Sequence, residues 1–191
     1  MTEVSIHRSF SKPPDLQSTI GTKCSRISAR TNSSMAEWQA QALRKLKDVA
    51  AIHATDFKTA SPFPHFVIDN FLEGEIIQSV LDEFPLDSDP IWEVSNQEDI
   101  QVKLRSNWQS EFDIKAATQS LVHFLNSGAV MRCFSQLTGI EKLISDPYYT
   151  GGGLNCTKRH GLLDVHADGN WHHAMGVHRR LNAILYLNKT W

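Results

Sequence analysis

The chain has 191 residues, 41% of them hydrophobic, with 19 Lys and Arg against 21 Asp and Glu and a formal net charge of −2, which suits one soluble domain able to bury a core. The near-neutral balance lacks the basic stripe that nucleic acid needs, and no run approaches the roughly 18 consecutive apolar residues of a membrane span, so neither is an expected partner. Cys24, Cys133 and Cys156 form no C-x-x-C pair, which argues against a disulfide framework or a zinc ribbon and for a reducing, cytoplasmic setting.

Residues 1–34 are rich in Ser, Thr, Lys and Arg, contain Pro13-Pro14, and carry only two acids, Glu3 and Asp15. Lacking helical or strand periodicity, they read as a disordered tail; the same acid-poor composition is also that of an organelle-targeting segment. Ser34-Met35-Ala36-Glu37 has capping-box spacing and precedes Trp38, Ala42, Leu43, Leu46, Val49 and Ala50 at helical intervals, which predicts a helix over 35–55. Ser61-Pro62-Phe63-Pro64 breaks it, His65-Phe66-Val67-Ile68 reads as a short strand, and Leu72, Ile76, Ile77, Val80, Leu81 and Phe84 give a second helical face. Pro85 and Pro90 mark an irregular stretch. Two more helical faces follow, one with Ile114, Leu121, Val122 and Leu125, the other with Met131, Phe134 and Leu137 and closed by Gly139. Residues 35–145 are thus expected to be a mainly helical support region.

From residue 146 the character changes. Tyr148-Tyr149, Leu162 to Val165 and Leu181 to Leu187 are strand-like runs separated by glycines, so helices precede clustered strands in an α+β order. Strand alternation on the last run puts Arg180, Asn182, Ile184 and Tyr186 on one face and Leu181, Ala183, Leu185 and Leu187 on the other. The aliphatic face is expected to pack on the helices, leaving Asn182 and Tyr186 for a polar cavity.

Five of the nine histidines, His160, His166, His172, His173 and His178, fall within residues 160–178, and histidine is the commonest metal ligand. The sharpest feature is His166-Ala167-Asp168. On a strand, residues i and i+2 share a face, so this imidazole and carboxylate can converge on one ion, as in the facial triad of non-haem Fe(II) oxygenases. The triplet alone is weak, since this composition yields roughly 0.6 of them by chance. His160, His172 and His173 read as solvent-facing loop residues. Of Arg179 and Arg180 at most one faces an anionic substrate, because adjacent strand residues point opposite ways. Gly151-Gly152-Gly153 reads as a bulged turn, because no Lys-Ser/Thr follows to make a phosphate loop. Cys156 reads as a small apolar filler, and Trp92, Trp108 and Trp171 as core anchors by default. A zinc-binding, His-rich module is a further reading of the same cluster.

The neighbours of the triplet supply specificity. Asp146-Pro147, Gly151-Gly152-Gly153-Leu154, Gly161-Leu162-Leu163, His166-Ala167-Asp168, Arg179-Arg180-Leu181-Asn182 and Tyr186-Leu187-Asn188-Lys189-Thr190-Trp191 follow one another in an order and spacing that resemble the prolyl 4-hydroxylase-like branch of the 2-oxoglutarate/Fe(II)-dependent dioxygenases. Pro62-Phe63-Pro64-His65-Phe66, Asp69-Asn70-Phe71-Leu72 and Leu137-Thr138-Gly139-Ile140 are similar to the helical lead-in of bacterial and phage members. The resemblance implies a double-stranded β-helix, or jelly roll, backed by amino-terminal helices, its first strands lying in 146–191. It implies Fe(II), 2-oxoglutarate as co-substrate and molecular oxygen, with ascorbate as a candidate reductant, and hydroxylation of an unactivated C–H bond in a peptidyl (prolyl-like) or small-molecule substrate as 2-oxoglutarate is decarboxylated to succinate.

By the same resemblance His166 and Asp168 match the first two iron ligands and catalytic positions, Tyr186 with Asn182 the 2-oxoglutarate site, and Arg180 with Asn155 the substrate side. The chain departs from the pattern at Asn155, where many relatives carry His, and at Gly169, where many carry a larger residue. It ends at Trp191, before the distal iron-binding His and the Arg or Lys that pairs with 2-oxoglutarate in relatives, so the barrel is expected to be incomplete at its carboxy-terminal end. A truncated, catalytically inactive remnant is the alternative to the enzyme.

Overall fold

A computed structural model of the chain describes residues 2–9, 30–97 and 101–188. It is an α+β structure whose helices cover one face of a mixed six-stranded sheet. The helices are α1 (Arg30–Thr59), α2 (Gly74–Asp82), α3 (Ala116–Leu125) and α4 (Gly128–Thr138); the strands are β1 (Thr2–Ser9), β2 (Trp92–Gln97), β3 (Gln101–Ser106), β4 (Gly153–Thr157), β5 (Leu162–Leu163), β6 (Trp171–His172), β7 (Val177–His178) and β8 (Leu181–Tyr186). Among the described residues no helix is long and apolar enough to cross a membrane.

The helical periodicities hold because each puts its apolar stripe into one core. Leu46 of α1, Leu121 of α3 and Val130 of α4 have no exposed surface, and the Trp38 and Phe124 rings meet edge to face at 5.2 Å. Each such aliphatic side chain contributes about 2 kcal/mol by leaving water. Serine and glycine bound α4 as their chemistry dictates: Ser127 Oγ accepts from Val130 N, and Gly139 ends the helix in the left-handed region at φ 71°. Cys133 is buried in this core, and burial pushes its thiol above the ordinary range.

The start of α3 is capped from outside. Lys115 stands at its N-cap and makes no side-chain cap, and the first amides are taken instead by Glu83, just past α2. The Glu83 carboxylate accepts from Ala117 N at 2.9 and 3.0 Å, from Thr118 N at 3.0 Å and from Thr118 Oγ1 at 3.3 Å. A negative group at the positive end of the helix dipole satisfies donors that would otherwise be orphaned. Glu83→Ala is expected to lower stability by about 2 kcal/mol in urea unfolding, with Glu83→Gln recovering part of it; a loss under about 0.5 kcal/mol would make Glu83 an ordinary surface residue.

Several local expectations are corrected. Residues 2–9, read as part of a disordered tail, form β1, because the edges of β4 and β8 offer partners that local periodicity cannot report. The helix begins at Arg30, so Ser34 lies inside it and is not its cap. Residues 10–29, including Cys24, lie outside the described residues. His65 to Ile68 form no strand: they run as loop, with Phe66 and Ile68 packed on the core and the Lys45 ammonium donating to the carbonyls of Asp69 and Asn70. Tyr148-Tyr149 is a turn, Tyr149 having φ 53°.

The boundary between a helical region 35–145 and a β region 146–191 also gives way. β2 and β3 form an antiparallel hairpin inside the supposed helical part and join the same sheet, in the order β2-β3-β4-β1-β8 with β5 against β3. Its signal was present, since Val102 and Leu104 alternate with Gln101, Lys103 and Arg105. β2-β3-β4 pair antiparallel, whereas β1 runs parallel to both β4 and β8. β6 and β7 make a separate two-stranded sheet.

The alternation of β8 is as expected. Leu181, Ala183 and Leu185 pack on the core and Leu187 is buried, while Asn182, Ile184 and Tyr186 are exposed on the face away from the helices.

Candidate functional site

β5 pairs with β3, Leu162 opposite Val102 and Leu163 opposite Gln101, and this pairing launches residues 164–170, which have no regular structure. His166 and Asp168 were expected on a strand; they lie instead on this irregular segment. They converge all the same. His166 Nε2 stands 3.2 Å from Asp168 Oδ1, with side-chain exposures of 27% and 59%.

The tautomer of His166 follows from its other nitrogen. Nδ1 is 2.6 Å from the carbonyl oxygen of Asp164, which only accepts, so Nδ1 carries the ring proton and donates it there. In the neutral ring Nε2 then presents a lone pair to a carboxylate oxygen, and two acceptors face each other at 3.2 Å with no donor between them. A metal ion bound by both atoms is one arrangement that would satisfy the two lone pairs. The separation admits such an ion, since two ligand atoms each about 2.0–2.2 Å from it stand roughly 3.0–3.4 Å apart. The surrounding bonds fit it as well. A ligating histidine usually donates its far N–H to a carbonyl or carboxylate, and a ligating carboxylate is usually hydrogen-bonded, here by Asn182 Nδ2 donating to Asp168 Oδ2 at 3.3 Å.

His166, Asp168 and Asn182 are therefore brought together. Tyr186 shares the exposed face of β8 with Asn182, roughly 13 Å further along the strand. Arg180 is exposed in the same alternation, while Arg179 turns the other way and its Nη2 donates to the Thr150 carbonyl at 2.6 Å. Asn155 was expected on the substrate side. It is 2% exposed in β4, where the register Asn155↔His7↔Tyr186 sets it on the sheet face of Tyr186, and its amide donates to the Gly153 carbonyl at 3.3 Å.

The five clustered histidines scatter. His160 and His173 are exposed as read, and the His178 ring stacks edge-on against Trp171 at 4.9 Å. His172, expected to face solvent, is buried beside Asp146. Near it the Tyr149 hydroxyl is pushed above its ordinary range by burial, reinforced by the Glu111 and Asp146 carboxylates. Among the described residues no three His, Cys, Asp or Glu side chains gather as a metal-holding group. Of the tryptophans, Trp108 is buried, Trp92 is partly buried with its indole N–H on the Leu86 carbonyl at 2.8 Å, and Trp171 is exposed. Sequence reasoning missed the backbone carbonyl of Asp164, which carries no side-chain signal.

Compared with protein-family models, with curated proteins and with solved structures, the chain finds no match in any of the three.

Proposed function

We propose that His166 and Asp168 hold a divalent transition metal, Fe(II), and that the chain carries part of the site of a 2-oxoglutarate-dependent oxygenase acting on a peptidyl or small-molecule C–H bond. The observation that carries this reading is the His166 Nε2 lone pair facing Asp168 Oδ1 at 3.2 Å, with the ring proton committed to the Asp164 carbonyl. It is supported by the run of motifs over residues 146–191 that resembles the prolyl 4-hydroxylase-like dioxygenases. When bound, Fe(II) with 2-oxoglutarate and oxygen supplies the oxidising chemistry that hydroxylates the substrate and releases succinate and carbon dioxide.

The chain's own residues do the rest. His166 and Asp168 present one neutral and one anionic ligand, and Asn182 fixes the carboxylate so that Oδ1 turns to the ion. Two protein ligands leave positions open for the keto acid, for which Tyr186 is the hydroxyl donor on the exposed face of β8. Arg180 offers an exposed positive charge at the start of that face. The jelly roll belongs to the same proposal: in it the exposed sheet face of Asn182, Ile184 and Tyr186 would be the inner wall.

The test is an anaerobic titration of the full chain with Fe(II) and 2-oxoglutarate, watching for the visible charge-transfer band that needs both together. A saturable band is expected, lost in His166→Ala and in Asp168→Ala. A folded chain with no band, or a band that survives both substitutions, would overturn the reading, and tight Zn(II) binding indifferent to 2-oxoglutarate would put a zinc site in its place.

A further inference from the structure

We propose that His172 is a positioning residue: with Asp146 it forms a buried latch that pins the β6–β7 hairpin to the loop before β4 and so sets where Asp168 stands. This rests on the reading of His166 and Asp168 as metal ligands.

His172 is 1% exposed and Asp146 5%, a depth at which an unpartnered imidazole nitrogen or carboxylate is costly. His172 Nδ1 accepts from Met175 N at 3.1 Å, so the neutral ring carries its proton on Nε2, the opposite tautomer to His166. That Nε2 lies 3.3 Å from Asp146 Oδ1 and completes no well-aligned hydrogen bond, which leaves the carboxylate's charge to offset its burial. Asp146 is itself held in place, with Oδ1 accepting from Tyr148 N at 2.8 Å and Oδ2 from Thr150 N at 2.7 Å. The Tyr148 ring lies over His172 with centroids 6.0 Å apart.

The latch joins two pieces that no strand pairing connects, because β6 and β7 form a sheet of their own. The Arg179 guanidinium on the Thr150 carbonyl ties the hairpin's far end to the same loop. Residues 164–170 are therefore anchored on one side by β5 against β3 and on the other by the latched hairpin. Asp168 stands three residues before β6 and its carboxylate also accepts from Asn182 Nδ2 at 3.3 Å, so freeing the hairpin removes one of its two supports and loosens it against His166.

The test uses Co(II), a visible stand-in for Fe(II), titrated into the full chain and into His172→Asn and His172→Gln. Asn keeps an acceptor near the Nδ1 position for Met175 N and has no donor at the Nε2 position; the Gln amide reaches the Nε2 position. His172→Asn is expected to weaken Co(II) binding at His166 and Asp168 by about tenfold or more, and His172→Gln to restore most of it. Equal binding in all three chains, or equal loss in both variants, would overturn the positioning role. If the variants do not fold, the unaltered chain decides without metal: a slowly exchanging Nε2–H resonance of the buried His172, shifted in Asp146→Asn, is expected, and its absence would overturn the latch. A chain that keeps this resonance yet binds no Co(II) overturns the metal reading and with it the positioning role, while leaving the latch itself standing.

Discussion

Deleting residues 1–9 is expected to abolish cooperative packing of the sheet's β8 edge and to remove on the order of half of the ~5–15 kcal/mol that stabilises a domain of ordinary size. Among the described strands β8 has one neighbour, β1, which it meets in parallel from Thr2↔Leu181 to His7↔Tyr186. On its other edge β1 meets β4 from Ser5↔Gly153 to Ser9↔Thr157. Without β1 the backbone donors and acceptors of β8 have no ladder, and a strand with no partner does not hold. The aliphatic face of Leu181, Ala183, Leu185 and Leu187 would then leave the core, and Asn182 would leave Asp168. A thermal melt with dye binding checks this: the shortened chain should melt broadly and at lower temperature, bind a hydrophobic dye, and be cut by protease within 181–188. An unchanged, sharp melt would mean that β8 is secured by its helix-facing side chains alone.

Gly153→Ala is expected to cost about 3 kcal/mol, combining the strain of a side chain at positive φ with that of an overfilled core. Gly153 opens β4 with φ 122°, a region that L side chains rarely adopt. A Cβ there would lie 2.4 Å from Ser106 Oγ. Ser106 cannot simply give way, because it is buried and its hydroxyl accepts from Leu154 N at 2.9 Å. A double-mutant cycle separates the two contributions. Ser106→Ala by itself should cost about 1–2 kcal/mol by orphaning the Leu154 amide, and in the Gly153→Ala background it should recover stability by removing the clash. Strictly additive losses would show that backbone strain, and not the hydroxyl, makes glycine necessary.

The candidate site was legible in part. His166 and Asp168 stand out from the sequence by their spacing and by the motifs around them, and Asn182 by the alternation of β8. Convergence was expected from strand geometry, yet residues 164–170 are irregular, and the pair meets because the Asp164 carbonyl turns the imidazole and Asn182 turns the carboxylate. Asn155 is legible by its place in the motif run and, through the register of β4, β1 and β8, shares the sheet face of Tyr186; its burial there comes from packing around β4 and has no local signal.

What the sequence by itself determined is what repeats locally. The 3.6-residue stripes of α1 to α4, the Ser127 and Gly139 boundaries of α4 and the two-residue alternation of β8 are set by neighbours within a few positions, so they can be read without knowing the fold. Only the tertiary structure decided which segments meet. The polar-looking residues 2–9 became a strand because β4 and β8 flank them, and Glu83 became the cap of a helix more than thirty residues away. In each case the stabilising partner is distant in sequence, and a side chain's own chemistry does not name the partner it will find.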